Sequence, residues 1–203
     1  GQRVAAVVGR GRALLIDWTT GDQHELAIHP EWTGVAIRGD GQIVAAFLPH
    51  HIDIWRFDTG ERVARIPYQA NGYARMTFSP DGKHLVVGDL RAFRSYNSAT
   101  WTLEFRHAAG PGALWGISAF SPDGQLLAIA QTRTEAQLID PVTGNKLCTL
   151  AGPTPGQEIS ALRFTPDGKR LLVATSNRLI QIWNIARLQR QLTGLGLQWD
   201  RAP

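Results

Sequence analysis

Cysteine is almost missing: Cys148 stands alone in 203 residues. A lone thiol excludes an internal disulfide and leaves a thiolate metal cluster without partners. Its setting, Leu147-Cys148-Thr149-Leu150, reads as a small buried hydrophobe in a strand. No run of 18 apolar residues occurs, which excludes a helical membrane span. Lysine is scarce, present at Lys83, Lys146 and Lys169 alone. The formal charge of +4 therefore rests mostly on arginine. Such a balance leans toward acidic partners and does not demand nucleic acid.

Motifs for catalysis are missing as well. No glycine-rich loop follows a strand and opens a helix, as a phosphate cradle requires. Gly9-Arg10-Gly11-Arg12 joins two strand-like stretches and reads as a hairpin turn. His50, His51 and Asp53 come nearest to a metal cluster. Adjacent side chains leaving a β-turn rarely converge on one ion, and a third ligand is unidentified. No serine or cysteine stands in a nucleophile motif, and the kinase signatures are absent. The expectation is a chain that is not an enzyme and carries no cofactor and no metal.

What the sequence has in plenty is repetition. Phe78-Ser79-Pro80-Asp81-Gly82 recurs as Phe120-Ser121-Pro122-Asp123-Gly124 and as Phe164-Thr165-Pro166-Asp167-Gly168. A worn copy stands at Ile37-Arg38-Gly39-Asp40-Gly41, and Gly1 falls in the same phase. By subtraction of residue numbers, the steps between these glycines are 40, 41, 42 and 44. A period of that size means stacked copies of one small unit. Proline presets its own φ, aspartate bonds nearby backbone and glycine supplies a positive φ, so each block is a turn between strands. A second turn follows at Thr20-Gly21, Thr59-Gly60 and Thr143-Gly144, with Ala99-Thr100 as its degenerate third copy. Each unit is thus a four-stranded antiparallel meander, its strands a to d running from inside to outside.

These blocks, the Thr-Gly turns and the pairs Ile16-Asp17, Trp55-Arg56, Tyr96-Asn97, Ile139-Asp140 and Trp183-Asn184 resemble the WD-repeat family of β-propellers over residues 1–184. The family writes Trp-Asp where those pairs stand. It also tends to bury a histidine, serine, aspartate and tryptophan network in each blade. His29 is close to that histidine's position, but most copies lack the set, so apolar packing should dominate. The resemblance implies an all-β propeller of about five blades in an incomplete ring, with approximate bounds 1–29, 32–67, 73–107, 115–151 and 159–184. The innermost strand of the first blade and the outermost strand of the fifth are not found. Upstream residues are expected to supply them, which makes this the C-terminal part of a longer chain. Asn184 reads as an N-cap, and Ile185, Leu188 and Leu192 keep helical spacing, so residues 185–203 form a terminal helix and tail. Leu188 to Leu192 with Leu195 to Asp200 looks like the tail of bacterial multidomain WD-repeat proteins, some with an upstream Ser/Thr kinase.

The candidate surface lies in the turns. The b–c turns hold Arg10 and Arg12, His50 and His51, Arg91, Arg133, and Arg178. Repetition in phase would place these cations along one face as an arginine arc. Arginine suits bidentate contacts with carboxylate or phosphate. Trp32, Tyr73 and Trp115 each stand eight residues before the aspartate of the next turn, at the start of strand a. There they pack the inner strand and offer an edge to a partner. The expected function is protein–protein recognition of an acidic or phosphorylated protein or peptide, in the cytoplasm. One alternative is a regulatory propeller in a signalling enzyme such as a Ser/Thr protein kinase. Another is anion or nucleic-acid binding through the arc, nucleic acid being the disfavoured partner.

Overall fold

A computed structural model describes residues 3–7, 12–27, 34–48, 50–69, 74–113, 115–152 and 156–194. Its described strands form five antiparallel meanders in chain order. The first has three strands: β1 (Arg3–Val7), β2 (Arg12–Asp17) and β3 (Gln23–Ala27). The second has four: β4 (Gly34–Ile37), β5 (Ile43–Leu48), β6 (His51–Arg56) and β7 (Arg62–Pro67). The third comprises β8 (Arg75–Phe78), β9 (His84–Gly88), β10 (Ala92–Asn97) and β11 (Leu103–Ala108). The fourth comprises β12 (Ser118–Phe120), β13 (Leu127–Ala130), β14 (Glu135–Ile139) and β15 (Lys146–Ala151). The fifth again has three: β16 (Ile159–Phe164), β17 (Arg170–Thr175) and β18 (Ile180–Asn184). α1 (Ile185–Gly194) follows at once. Strand a of the first sheet and strand d of the fifth are not found among the described residues, as the repeat phase predicts.

The sheets touch through their innermost strands: β1 with β4, β4 with β8, β8 with β12, and β12 with β16. This radial order explains the burial. Strand b lies between two neighbouring sheets and is apolar on both faces. Accordingly β5 and β13 are buried throughout, and β9 from its second residue. Strand d is the rim, so β7 and β11 are mostly exposed. In the fifth sheet β17 alternates between buried and less buried residues, because one of its faces has no neighbouring sheet among the described residues. Ile180 and Ile182 on β18 are correspondingly 65% and 62% exposed.

The Ser/Thr-Pro-Asp-Gly turns fold locally for reasons that can be read bond by bond. Ser121 Oγ donates to Asp123 Oδ1 at 2.6 Å and accepts the Leu126 amide at 2.9 Å. Asp123 Oδ1 accepts the Gln125 amide at 3.0 Å. Ser79 with Asp81, and Thr165 with Asp167, repeat the pattern. In the worn copy Arg38 replaces the hydroxyl and grips Asp40 through its guanidinium. The turns close on Gly82, Gly124 and Gly168 at φ 72°, 70° and 68°. A side chain on Gly124 would meet Pro80 at an ordinary 3.7 Å, so the cost of adding one is conformational. Gly124→Val is expected to lower stability by about 1–3 kcal/mol. A denaturant midpoint unchanged from wild type would refute this account of the turn.

The c–d turns show why an Asp or Asn stands after the bulky residue that ends strand c. Asp17 accepts the Thr19 amide, Asn97 those of Ala99 and Thr100, and Asp140 those of Val142 and Thr143. Each bond stabilises the turn locally, as short acceptor side chains do. Just before it, the c–d register shifts at Ile54/Trp55, Ser95/Tyr96 and Leu138/Ile139, one bulge in the same phase in three sheets. Gly21, Gly60 and Gly144 take the left-handed position of these turns, at φ 77°, 64° and 72°. In the third copy that position belongs to Trp101, at φ 59°, one residue later than the pair Ala99-Thr100 suggested. The Trp101 amide donates to Asn97 O at 2.7 Å, and its ring packs against the cluster around Tyr96 and Leu85.

α1 begins as expected: Asn184 Oδ1 accepts the Arg187 amide at 2.8 Å. Ile185, 1% exposed, anchors the helix in the cluster of Leu138, Leu162 and Leu171, with Leu188 against it. Cys148 packs beside the same cluster, and burial pushes its thiol up to about 11, so it is a protonated hydrophobe at neutral pH.

Candidate partner-docking face

The turns divide into two sets by their contacts. The a–b turns lie next to one another from sheet to sheet: Gly39 by Pro80, Gly124 by Pro80, Gly168 by Pro122. The c–d turns join them, through Phe57 N to Gln42 O and Ser98 N to Lys83 O, both 2.7 Å. The b–c turns instead bond the links between sheets. Tyr68 N donates to His50 O, Ala109 N to Arg91 O, Ile159 N to Arg133 O, and Ser176 N to Glu158 O.

On this second set lie His50, Arg91, Arg133 and Arg178, all exposed. Arg91 and Arg178 have no ion-pair partner among the described residues. Arg133 is partly neutralised, its Nη1 lying 3.0 Å from Glu158 Oε1. Arg178 itself takes φ 67°, a turn position favourable to glycine. Arg12 begins β2, in the same b–c phase. Arg10, Trp32 and Tyr73 lie outside the described residues, as do His29 and Trp199.

His51 behaves differently from His50. It is the first residue of β6, and its ring turns toward buried Asp53, with Nε2 3.5 Å from Oδ2. That length is too great for a hydrogen bond, and Nε2 has no other partner. Burial lowers the His51 pKa despite Asp53, so it adds no charge to the rim at neutral pH. Asp53 is gripped by Arg65 through Nε at 2.6 Å and Nη2 at 2.7 Å. Among the described residues, no group of three or more His, Cys, Asp or Glu side chains could hold a metal ion.

Trp115 is 43% exposed and adopts φ 58°, a conformation costly for a bulky side chain. It precedes Gly116, whose backbone lies against Gly88 at the end of β9. Three residues beyond Gly88 stands Arg91, after Leu90, itself 41% exposed. The link and the turn thus bring an indole, a leucine and a guanidinium to one part of the face.

A buried network beneath this turn escaped the sequence reading. Asp89, 2% exposed, accepts the Tyr68 hydroxyl at 2.8 Å and Arg94 Nη1 at 2.9 Å. Its other oxygen accepts the Arg91 and Ala92 amides at 2.7 and 2.8 Å. Arg94 also lies 4.8 Å over the Tyr68 ring. The second and third sheets therefore do contain buried polar networks, built from residue types other than the family's usual set. The signal available was a charged residue, Arg94, in a strand otherwise fit for the core.

Residues 119–190 match the family described as the anaphase-promoting complex subunit 4 WD40 domain. WD repeat-containing protein 1 of Gallus gallus is 34% identical over 67 residues, covering 32% of this chain and 11% of that protein. The proteins of the same name from Bos taurus and Rattus norvegicus match equally. The match thus spans about a tenth of the length of these curated relatives. The β-propeller domain of Myceliophteria thermophila Cps50 (Swd1) superposes with a TM-score of 0.73 at 16% identity, over 90% of this chain and 62% of that one. That likeness shows the β-propeller fold. The WD40 family model matches residues 119–190 alone. Propellers host many functions, so the fold by itself assigns none. No described helix is long and apolar enough to cross a membrane.

Proposed function

We propose that this chain is a non-catalytic docking platform, the C-terminal part of a longer cytoplasmic WD-repeat protein, whose b–c face binds an acidic or phosphorylated protein segment. One observation carries the reading: successive b–c turns present exposed His50, Arg91, Arg133 and Arg178, and Leu90 and Trp115 are partly exposed near the Gly88–Gly116 approach. A cationic rim steers an acidic partner, and a partly exposed indole gives it an anchor. Among the described residues, no sheet covers the face of β17 and β18 that carries Ile180 and Ile182, which suits a further blade. The chain's 62% coverage of the Cps50 (Swd1) propeller domain agrees with that reading.

The test reverses the two cations without ion-pair partners. Arg91→Glu with Arg178→Glu should leave the fold intact, since exposed substitutions cost within about 0.5 kcal/mol each. Titrations against acidic, phosphorylated and neutral peptides at two salt concentrations should show binding confined to the first two. The double variant should associate several-fold more slowly, and its salt dependence should flatten. Acidic-peptide binding that ignores both reversals would place the docking surface elsewhere.

A further inference from the structure

The inner strands β8, β12 and β16 form a continuous wall, and their outward-alternating residues share a hollow of about 200 Å³. Met76, Ala119 and Leu162 turn into the cores between sheets. The opposite phase sends Arg75, Thr77, Ser118 and Arg163 to the hollow. A second hollow of about 280 Å³ shares Thr77, Ser118 and Arg163 and continues toward the a–b turns at Ser79 and Pro122. Among the described residues, neither hollow is lined by an aspartate or glutamate. Among the described residues, Arg75 and Arg163 have no ion-pair partner, and the Ser118 hydroxyl has no hydrogen-bond partner.

Two exposed guanidiniums on one wall, with a free hydroxyl between them and no carboxylate, form an electropositive recess. Arginine forks match the oxygens of a tetrahedral dianion, and a recess focuses the field that draws one in. We propose that this channel wall is an oxyanion site that takes a phosphate group, with Arg75 and Arg163 as its clamps and Ser118 as a donor. These residues are distinct from the turn arginines, so the site stands or falls independently of the docking face. The group can arrive as free phosphate or on a phosphorylated side chain. The two sources share this chemistry and differ in what else binds.

The experiment titrates inorganic phosphate, pyrophosphate and a phosphoserine peptide into the chain at constant ionic strength, with chloride as the replaced anion. Saturable pyrophosphate binding is expected. It should weaken about tenfold or more in Arg75→Gln and in Arg163→Gln, the scale of a lost charge-assisted bond. Arg75→Lys with Arg163→Lys keeps the charge without the fork and should bind between wild type and the glutamine variants. Arg91→Glu with Arg178→Glu should bind pyrophosphate like wild type. A phosphopeptide that binds more tightly than pyrophosphate, and loses affinity in both sets of variants, identifies the group as a partner's. Circular dichroism and melting curves confirm that each variant is folded. No saturable binding of any of the three probes, or binding that persists in the Arg75→Gln, Arg163→Gln double variant, would overturn the site.

Discussion

Gly116→Ala is expected to cost more than about 4 kcal/mol, a large share of the roughly 5–15 kcal/mol that holds a domain folded. Two independent causes add. Gly116 lies at φ 58°, where a side chain costs about 1–2 kcal/mol. The larger cause is space: a β-carbon there would stand 1.9 Å from Gly88 O and 2.0 Å from Gly88 C. Those are backbone atoms of a strand bonded on both sides, and they cannot swing away as a side chain would. The contact is reciprocal, since a β-carbon on Gly88 would meet Gly116 O at 2.5 Å and the Phe93 ring at 2.8 Å. Gly21→Ala supplies the control, because Gly21 has φ 77° and open space around it. Its cost should be about 1 kcal/mol, the conformational part alone. Urea midpoints for the two variants separate strain from crowding. Equal losses would mean that the link carrying Trp115 is not wedged against β9.

The Gly88–Gly116 approach also marks the boundary of what the sequence discloses. Local rules are written in neighbouring residues, so the a–b turns, the bounds of most strands and the Asn184 cap were legible. The three-stranded first and fifth sheets of the described residues keep the same phase, because a repeat makes an omission visible. A close approach between residues 28 apart is not a local rule, and nothing in the neighbours of either glycine announces it. Trp101 shows the opposite failure. Residue type argued against a left-handed conformation there, and the Asn97 bonds with packing on Tyr96 override it. His50 and His51 looked equivalent in a string, yet the start of β6 between them sends one to solvent and the other toward Asp53. Arg75 and Arg163 were hidden for a related reason: alternation places them on the channel side of strand a, but only the stacking of three sheets shows that they share a hollow.

The network under the Arg91 turn is where a single charge change should matter most. Asp89→Ala is expected to cost about 3–5 kcal/mol, the penalty for leaving a buried cation without its partner. Arg94 would keep its charge at 17% side-chain exposure, and two backbone amides and the Tyr68 hydroxyl would lose their acceptor. Tyr68→Phe removes one bond and should cost nearer 1 kcal/mol. Acidity gives a second handle. Burial pushes the Asp89 carboxyl up, but the Arg91 and Ala92 amides, the Tyr68 hydroxyl and Arg94 outweigh it and hold it below the usual carboxylate value. A group depressed in the folded state contributes its full stabilisation above its unfolded pKa, near 4. That contribution is lost as pH falls from there through the folded value. Asp89→Asn keeps an oxygen for the two amides and loses the charge, so it should flatten the acid limb of the stability profile while Arg91 keeps its place in the turn. Denaturant midpoints of wild type and Asp89→Asn, compared between pH 7 and pH 3, read this directly. The gap between them should narrow on acidification, and a constant gap would show that folding does not lower the Asp89 pKa. Binding at the b–c face gives the functional half of the test. It should survive Asp89→Asn at neutral pH and weaken in Asp89→Ala, where the turn that presents Arg91 has lost both of its side-chain bonds.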